Sequence, residues 1–265
     1  MSFIAALLTL GLVSGFLAGL LGVGGGLVMV PVLVVLFAQQ GFEPAWHMHL
    51  ALGTSLAVIV LTSISSLRAH HAHGAVRWQT VRRIAPGIVL GTLLGALAAR
   101  HFSDLGLRLF FVAFLFYAAT QMWLDLKPRA HRELPDWLGM TVAGAVIGAV
   151  SSWVGIGGGT LSVPFQLWCN VKLHDAIGTS AAIGFPIAVA GAVGYALVGL
   201  GIPGLPAWSV GFVYLPALAG IAVASWMTAP LGARLAHRLP VKRLKRIFAL
   251  LLYVLALRMA YGLLI

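Results

Sequence analysis

The sequence predicts an all-α polytopic membrane protein made of two homologous halves, each a glycine-broken helical hairpin followed by three transmembrane helices. Three observations predict this class. Of the 265 residues, 60% are hydrophobic and only 9% are charged, whereas soluble domains typically have about 25% charged residues. Apolar segments of about 20 residues recur along the chain. Two motifs also occur twice in the same order, which indicates an internal repeat.

The first half, residues 1–126, contains one interrupted apolar segment and three continuous ones. We expect a helix over 3–21, a break at 23–26, a resumed helix over 27–37, and spans over 49–67, 84–99 and 109–124. The first helix has no charged region before it, so we expect a retained helix and not a cleaved signal peptide. Small residues recur every fourth position in the third span, at Gly87, Gly91, Gly95 and Ala99, a spacing that allows close helix packing in lipid.

A charged linker over 127–136 is expected to lead into the second half, 137–265, which repeats this order. We expect a helix over 137–154, a break at 155–159, a resumed helix over 160–169, and spans over 176–200, 208–231 and 247–264. The single cysteine, Cys169, excludes an intrachain disulfide and a cysteine-based metal cluster.

Two motifs carry the duplication. Gly-x-Gly-Gly-Gly-x4-Pro begins at Gly22 and again at Gly155, and His-x-Ala-x-Gly-Thr-Ser begins at His49 and again at His174. Inside a helix each glycine costs roughly 1 kcal/mol relative to alanine. The two tracts therefore predict helices that are interrupted at equivalent places.

The charges of equivalent loops predict that the halves have opposite orientations. Residues 68–83 contain four arginines and the matching 199–209 contains no charge, while the segment 234–246 is strongly basic. Basic loops face the cytoplasm, which accounts for the net charge of +11 without nucleic-acid binding. We therefore expect loops 68–83, 125–136 and 234–246 to be cytoplasmic.

Inverted repeats require an odd number of crossings in each half. This holds if each broken segment is a hairpin that enters and leaves on the same side. The alternative is a straight crossing by residues 3–21, whose 19 residues at about 1.5 Å each nearly match the ~30 Å hydrocarbon core. The repeats would then be parallel.

The glycine tracts are the first candidate binding site. A helix that begins inside the membrane has unpaired amides, which lipid cannot satisfy, and its positive dipole end favours an anion. Glycine lets a ligand approach the backbone because it has no Cβ. The alternative is that the glycines only allow tight packing. The candidate residues are Gly24, Gly25, Gly26, Gly157, Gly158 and Gly159.

Hydroxyl and imidazole side chains beside these tracts complete the candidate site. Thr160 follows the second tract, whereas Leu27 holds the equivalent place in the first. We expect the hydroxyls to donate to an oxyanion, the alternative being bonds to carbonyls of their own helices. His49 and His174 are candidates for proton coupling or plain interfacial residues. The other hydroxyl candidates are Thr54, Ser55, Thr179 and Ser180.

Other site types are poorly supported by the sequence. All six acidic residues lie in predicted loops or at span ends, so no buried carboxylate is expected as a cation ligand or proton relay. His70, His71 and His73 leave a metal site as an alternative, although we expect neither metal nor cofactor. Motifs of intramembrane hydrolases are missing, so we expect no enzyme. Arg258, inside the last span, either attracts anions or extends to the membrane surface.

The two duplicated motifs resemble those of the TauE/SafE family of membrane permeases over nearly the whole chain. The resemblance implies a bacterial inner-membrane protein that exports sulfite, sulfoacetate or related organosulfonates. It also implies that the glycine tracts and the Gly-Thr-Ser motifs form a central site. Expected partners are a small anionic substrate and the lipid bilayer, with a homodimer also considered. A permease for another anion or a transition metal, and a non-transporting membrane scaffold, remain the alternatives.

Overall fold

The computed structural model describes residues 2–21, 25–125, 132–236 and 241–263. These residues form ten α-helices, one 3-10 turn and one pair of two-residue strands. The helices are α1 (Phe3–Leu21), α2 (Gly26–Gln39), α3 (His47–Ala72), α4 (Trp78–Ala99), α5 (Asp104–Trp123), α6 (Trp137–Val154), α7 (Gly159–Trp168), α8 (Leu173–Val198), α9 (Leu215–Ala236) and α10 (Val241–Tyr261). The 3-10 turn is Pro44–Trp46, and β1 (Ser209–Val210) pairs with β2 (Val213–Tyr214) in antiparallel orientation.

The described helices confirm the prediction of an all-α polytopic membrane protein. Seven of them are long and apolar enough to cross a membrane, namely α1, α3, α4, α5, α6, α8 and α9. The interrupted helix α2 is a shorter apolar helix. A span of about 20 apolar residues matches the thickness of the hydrocarbon core.

The predicted bounds of α1, α2, α6 and α7 agree with the structure within two residues, whereas α3, α4, α5, α9 and α10 each have a bound that differs by five residues or more. Helix α3 continues to Ala72 and α4 begins at Trp78, so the predicted loop 68–83 is mostly helical. The 26 residues of α3 rise by about 39 Å at 1.5 Å per residue, which exceeds the ~30 Å hydrocarbon core, so the helix extends beyond its apolar segment. The predicted start of the next span at residue 208 is wrong, because Gly211 at φ 55° turns the short hairpin before α9.

The centre of the fold is an antiparallel pair, α3 and α8. A Cβ on Gly53, early in α3, would lie 3.0 Å from the Cβ of Tyr195, late in α8. Gly178, early in α8, faces Ala75 just after α3. The two helices that follow the duplicated tracts therefore run in opposite directions against each other.

Two further helix pairs pack around this centre, and glycine residues allow the two helices of each pair to come close together. Helix α4 packs on α6, where a Cβ on Gly87 would overlap the carbonyl of Thr141. Helix α1 packs on α9, where a Cβ on Gly19 would overlap the carbonyl of Ala229. These contacts confirm that the four-residue spacing of small residues in α4 serves close helix packing.

Candidate functional site

The two interrupted helices begin with the same backbone geometry. Gly25 precedes α2 at φ 76° and ψ −8°, and Gly158 precedes α7 at φ 77° and ψ −8°. Both conformations are left-handed, which is why glycine is required there. A Cβ on Gly26 would overlap the carbonyl oxygen of Gly155, so the two breaks touch each other. The candidate residue Gly24 lies outside the described residues.

The first two amides of α7 have no backbone acceptor among the described residues. The amides of Leu161 and Ser162 both donate to the carbonyl of Gly158, at 3.1 and 2.8 Å. The amides of Gly159 and Thr160 precede them and have no acceptor within the part of the chain that the structure describes. Unpaired amides at a helix start carry the positive end of the helix dipole. The start of α7 is therefore suited to an anion.

Three buried hydroxyls gather around the second break without a hydrogen-bond partner among the described residues: Thr160, Ser151 and Ser66. The oxygen of Ser151 lies 3.6 Å from the place of a Cβ on Gly158. Ser66 and Gly157 line the same small cavity. A buried hydroxyl without a partner is unfavourable by about 1–3 kcal/mol, so these groups are available for a ligand.

The threonines of the duplicated motif hold helix starts of the other half of the sequence. The hydroxyl oxygen of Thr54 accepts from the amide of Tyr214 at 3.0 Å, directly before α9. Thr179 accepts from the amide of Arg77 at 2.9 Å, directly before α4. The two bonds are equivalent under exchange of the halves. The oxygens of both threonines are thus engaged by backbone amides, and the resemblance alone did not reveal this.

The serines of the motif lie closer to the second break. Ser55 donates to the carbonyl of Gly155 at 2.9 Å. The hydroxyls of Ser180 and Ser162 are 2.6 Å apart. Both candidate serines therefore contact the interrupted segment α6–α7, one of them across the two halves.

The two candidate histidines occupy different surroundings. His49 is fully buried, with Nε2 3.0 Å from the carbonyl oxygen of Ala99 and with Trp46 and Phe212 against its ring. His174 is exposed. Each lies near the start of its helix, and α3 and α8 are antiparallel, so the two histidines are at opposite ends of the bundle. The structure does not bring them together.

Sequence reasoning missed a group of hydroxyls in α3. Thr62, Ser63, Ser65 and Ser66 are all buried. The sequence signal for this group was the presence of four hydroxyl residues in a stretch of five inside an apolar span. Three of these side chains line the cavity beside Gly157, together with Ile59 and Gly184. Its volume is about 10 Å³, room for about one water, so the site is closed in this structure.

Charged residues contribute little to this centre. Arg77 lies 3.8 Å from Asp175 at a helix start, and Lys245 pairs with Asp125 at 3.0 Å. Within the described residues, no group of three or more His, Cys, Asp or Glu side chains is placed to hold a metal ion.

Comparison with known proteins identifies the family. The family described as "Sulfite exporter TauE/SafE" matches residues 7–259. A probable membrane transporter protein of Haemophilus influenzae is 40% identical over 260 residues, covering 97% of this chain and 98% of that protein. The probable membrane transporter protein YunE of Bacillus subtilis is 27% identical over 282 residues, covering 98% of both. No solved structure shows significant similarity to the chain.

The match spans nearly all of the helices described above, including both interrupted ones. The relatives are described as transporters, not enzymes. Seven candidate spans and the bacterial relatives indicate a multi-pass protein of the inner membrane. The chain belongs to the TauE/SafE family of membrane transporters.

Proposed function

We propose that the protein is a secondary transporter of small sulfur-containing anions such as sulfite, sulfoacetate or a related organosulfonate, acting as an exporter. The description of the family names sulfite export, and the relatives are named only as transporters. The substrate would bind near the midplane, where the two interrupted helices meet.

The start of α7 is the observation that carries this proposal. The amides of Gly159 and Thr160 and the buried hydroxyl of Thr160 all have no partner among the described residues. Amides and hydroxyls donate hydrogen bonds to an oxyanion without carrying a full charge. Because a charged donor makes a stronger hydrogen bond, we expect these groups to release the anion more readily than an arginine would.

Alternating access would follow from the arrangement of the two halves. The antiparallel packing of α3 against α8 supports inverted repeats, because these helices follow equivalent motifs. Transporters with inverted repeats place the substrate at the start of broken helices near the midplane. The bonds from Thr54 and Thr179 to the opposite half would then link each central helix to a helix of the other repeat. With this orientation, the segments 68–83, 125–136 and 234–246 would face the cytoplasm.

The small closed cavity fits an occluded state of this cycle. Sulfite is larger than one water, so the cavity of about 10 Å³ must widen for binding. Rocking of one half against the other would widen it at the contact between Gly26 and Gly155. Proton coupling, if the carrier uses it, would fall to His49, which is buried, and not to the exposed His174.

The test is flux of radiolabelled sulfite into proteoliposomes under an imposed pH gradient. We expect protein-dependent flux that unlabelled sulfoacetate competes for and Ni²⁺ does not. Ser66→Ala should slow the flux, because Ser66 lines the cavity. Its neighbour gives a matched control: Ser65 donates to the carbonyl of Trp226, so Ser65→Ala should leave the flux near wild type. Flux equal to that of protein-free liposomes would reject the proposed substrate.

A further inference from the structure

We propose that a cleft between α2 and α10 binds an anionic phospholipid, with an acyl chain along its apolar wall and the headgroup at Arg258. The cleft has a volume of about 770 Å³, within the usual size range of ligand pockets. It lies apart from the central cavity and shares no lining residue with it. The inference does not depend on which anion is transported.

The wall of the cleft is apolar along its length. Val32 and Val35 of α2 face Leu255 and Met259 of α10, and Pro31 lies at the deep end. From Pro31 to Gln39 the helix rises by about 12 Å. This length is close to half of the ~30 Å hydrocarbon core, so the cleft has the depth of one leaflet.

The mouth of the cleft is polar and lies at the membrane surface. Gln39 ends α2, His47 begins α3, Arg108 is in the first turns of α5, and Arg258 and Tyr261 are in the last turn of α10. Four helices therefore place polar or aromatic side chains at one end of the bundle. Tyr is typical of this depth at both surfaces of a membrane, and long arginine side chains near helix ends extend to the same level.

The charges at the mouth favour an anion there. Arg108 is paired with Asp104 and lies 3.3 Å from Nδ1 of His47, so its charge is largely balanced. No carboxylate of the described residues lies within ion-pairing distance of Arg258. Within the described ranges, Arg258 is thus the basic side chain of the mouth whose charge no carboxylate balances. The two roles considered for Arg258 from the sequence are therefore compatible, because its side chain lies at the membrane surface and can attract an anion there.

A phospholipid fits this cleft better than a small oxyanion does. The lining is predominantly apolar, and sulfite gains nothing from apolar contact because its hydration would be lost without compensation. An acyl chain packs against the same wall by van der Waals contact and has no hydration to lose. An arginine at the mouth of such a cleft can pair with the phosphate of an anionic lipid headgroup.

The test compares binding of dioleoyl phosphatidylglycerol and dioleoyl phosphatidylcholine to the full protein in detergent, by native mass spectrometry. We expect retention of phosphatidylglycerol, about fivefold weaker in Arg258→Gln because one basic contact is lost. Ala38→Trp fills the mouth of the cleft and should also lower retention. Arg100→Gln is the matched control: Arg100 follows Ala99, at the same end of the bundle, and does not line the cleft.

Three results would overturn the assignment. One is wild-type retention by Arg258→Gln, and another is an equal loss in Arg100→Gln. The third is displacement of phosphatidylglycerol by millimolar sulfite, which would make the cleft an entrance for substrate. Each outcome is independent of whether proteoliposomes transport sulfite, so failure here leaves the proposed function standing.

Discussion

Replacing Thr160 by valine tests whether its hydroxyl binds a ligand or stabilises the fold. Thr160 is 3% exposed, and its hydroxyl has no partner among the described residues. Valine has nearly the same shape, so the change removes an unsatisfied polar group without leaving a cavity. Because an unsatisfied buried hydroxyl is unfavourable by about 1–3 kcal/mol, we expect Thr160→Val to raise the free energy of unfolding by about 1 kcal/mol.

The same change should slow transport. A hydrogen bond to a charged ligand contributes about 1.5–3 kcal/mol, which corresponds to roughly a 10- to 150-fold loss of affinity. The assays are thermal unfolding of the purified protein and sulfite flux in proteoliposomes. Higher stability together with lower flux is the signature of a hydroxyl kept for a ligand.

Two variants give the comparison its controls. Thr9 is exposed and donates to the carbonyl of Ala5 in its own helix, so Thr9→Val should change neither quantity. Ser55 donates to the carbonyl of Gly155 at 2.9 Å, so Ser55→Ala should lower the free energy of unfolding by about 1 kcal/mol. If Thr160→Val lowered stability and kept full flux, the hydroxyl would be structural and the assignment of the site to α7 would be refuted.

Three further outcomes test the architecture around the site. Thr54→Val and Thr179→Val each remove the acceptor of a backbone amide, so thermal unfolding should show a loss of about 1 kcal/mol each; no loss would mean that these bonds do not hold the helix starts. Gly91→Ala places a Cβ against the carbonyl of Ala145, whereas the nearest atom to a Cβ on Gly220 is 3.3 Å away; the first change should be unfavourable by about 1–3 kcal/mol and Gly220→Ala by less, and equal effects would contradict the packing. The Cys169 thiol is buried, so maleimide should label the native protein slowly at pH 7 and the denatured protein quickly; fast native labelling would contradict that burial.

The sequence could predict the helix breaks because consecutive glycines destabilise a helix whatever residues surround them. A left-handed residue before a helix favours glycine wherever it occurs, so Gly25 and Gly158 could be recognised without knowledge of their neighbours. The bounds of α1 and α6 were equally legible, because an apolar segment ends where polar or glycine residues begin. At all these positions the neighbouring residues in the sequence determine the backbone conformation.

Partners distant in the sequence could not be predicted in this way. Thr54 and Tyr214 are 160 residues apart, and nothing near Thr54 indicates that its oxygen holds the start of α9. The cavity beside Gly157 needs α3, α6–α7 and α8 to be assembled before Ser66 can be seen to line it. The short hairpin before α9 was missed because two-residue strands leave almost no pattern in the sequence.

The two breaks are equal in backbone geometry and unequal in chemistry, and this difference bears on how one anion site serves both halves. Gly25 and Gly158 have nearly identical torsions, yet Leu27 is apolar and fully buried where the second half has Thr160. Of the three unpartnered hydroxyls at the centre, two belong to α6–α7 and one to α3. In the proposed mechanism the first half therefore supplies amides and a close backbone contact, and the second half supplies most of the donors that recognise the substrate. Leu27→Thr consequently adds a hydroxyl where no donor is needed, so we expect it to lower stability without raising flux, and a gain in flux would show that the two breaks contribute equally.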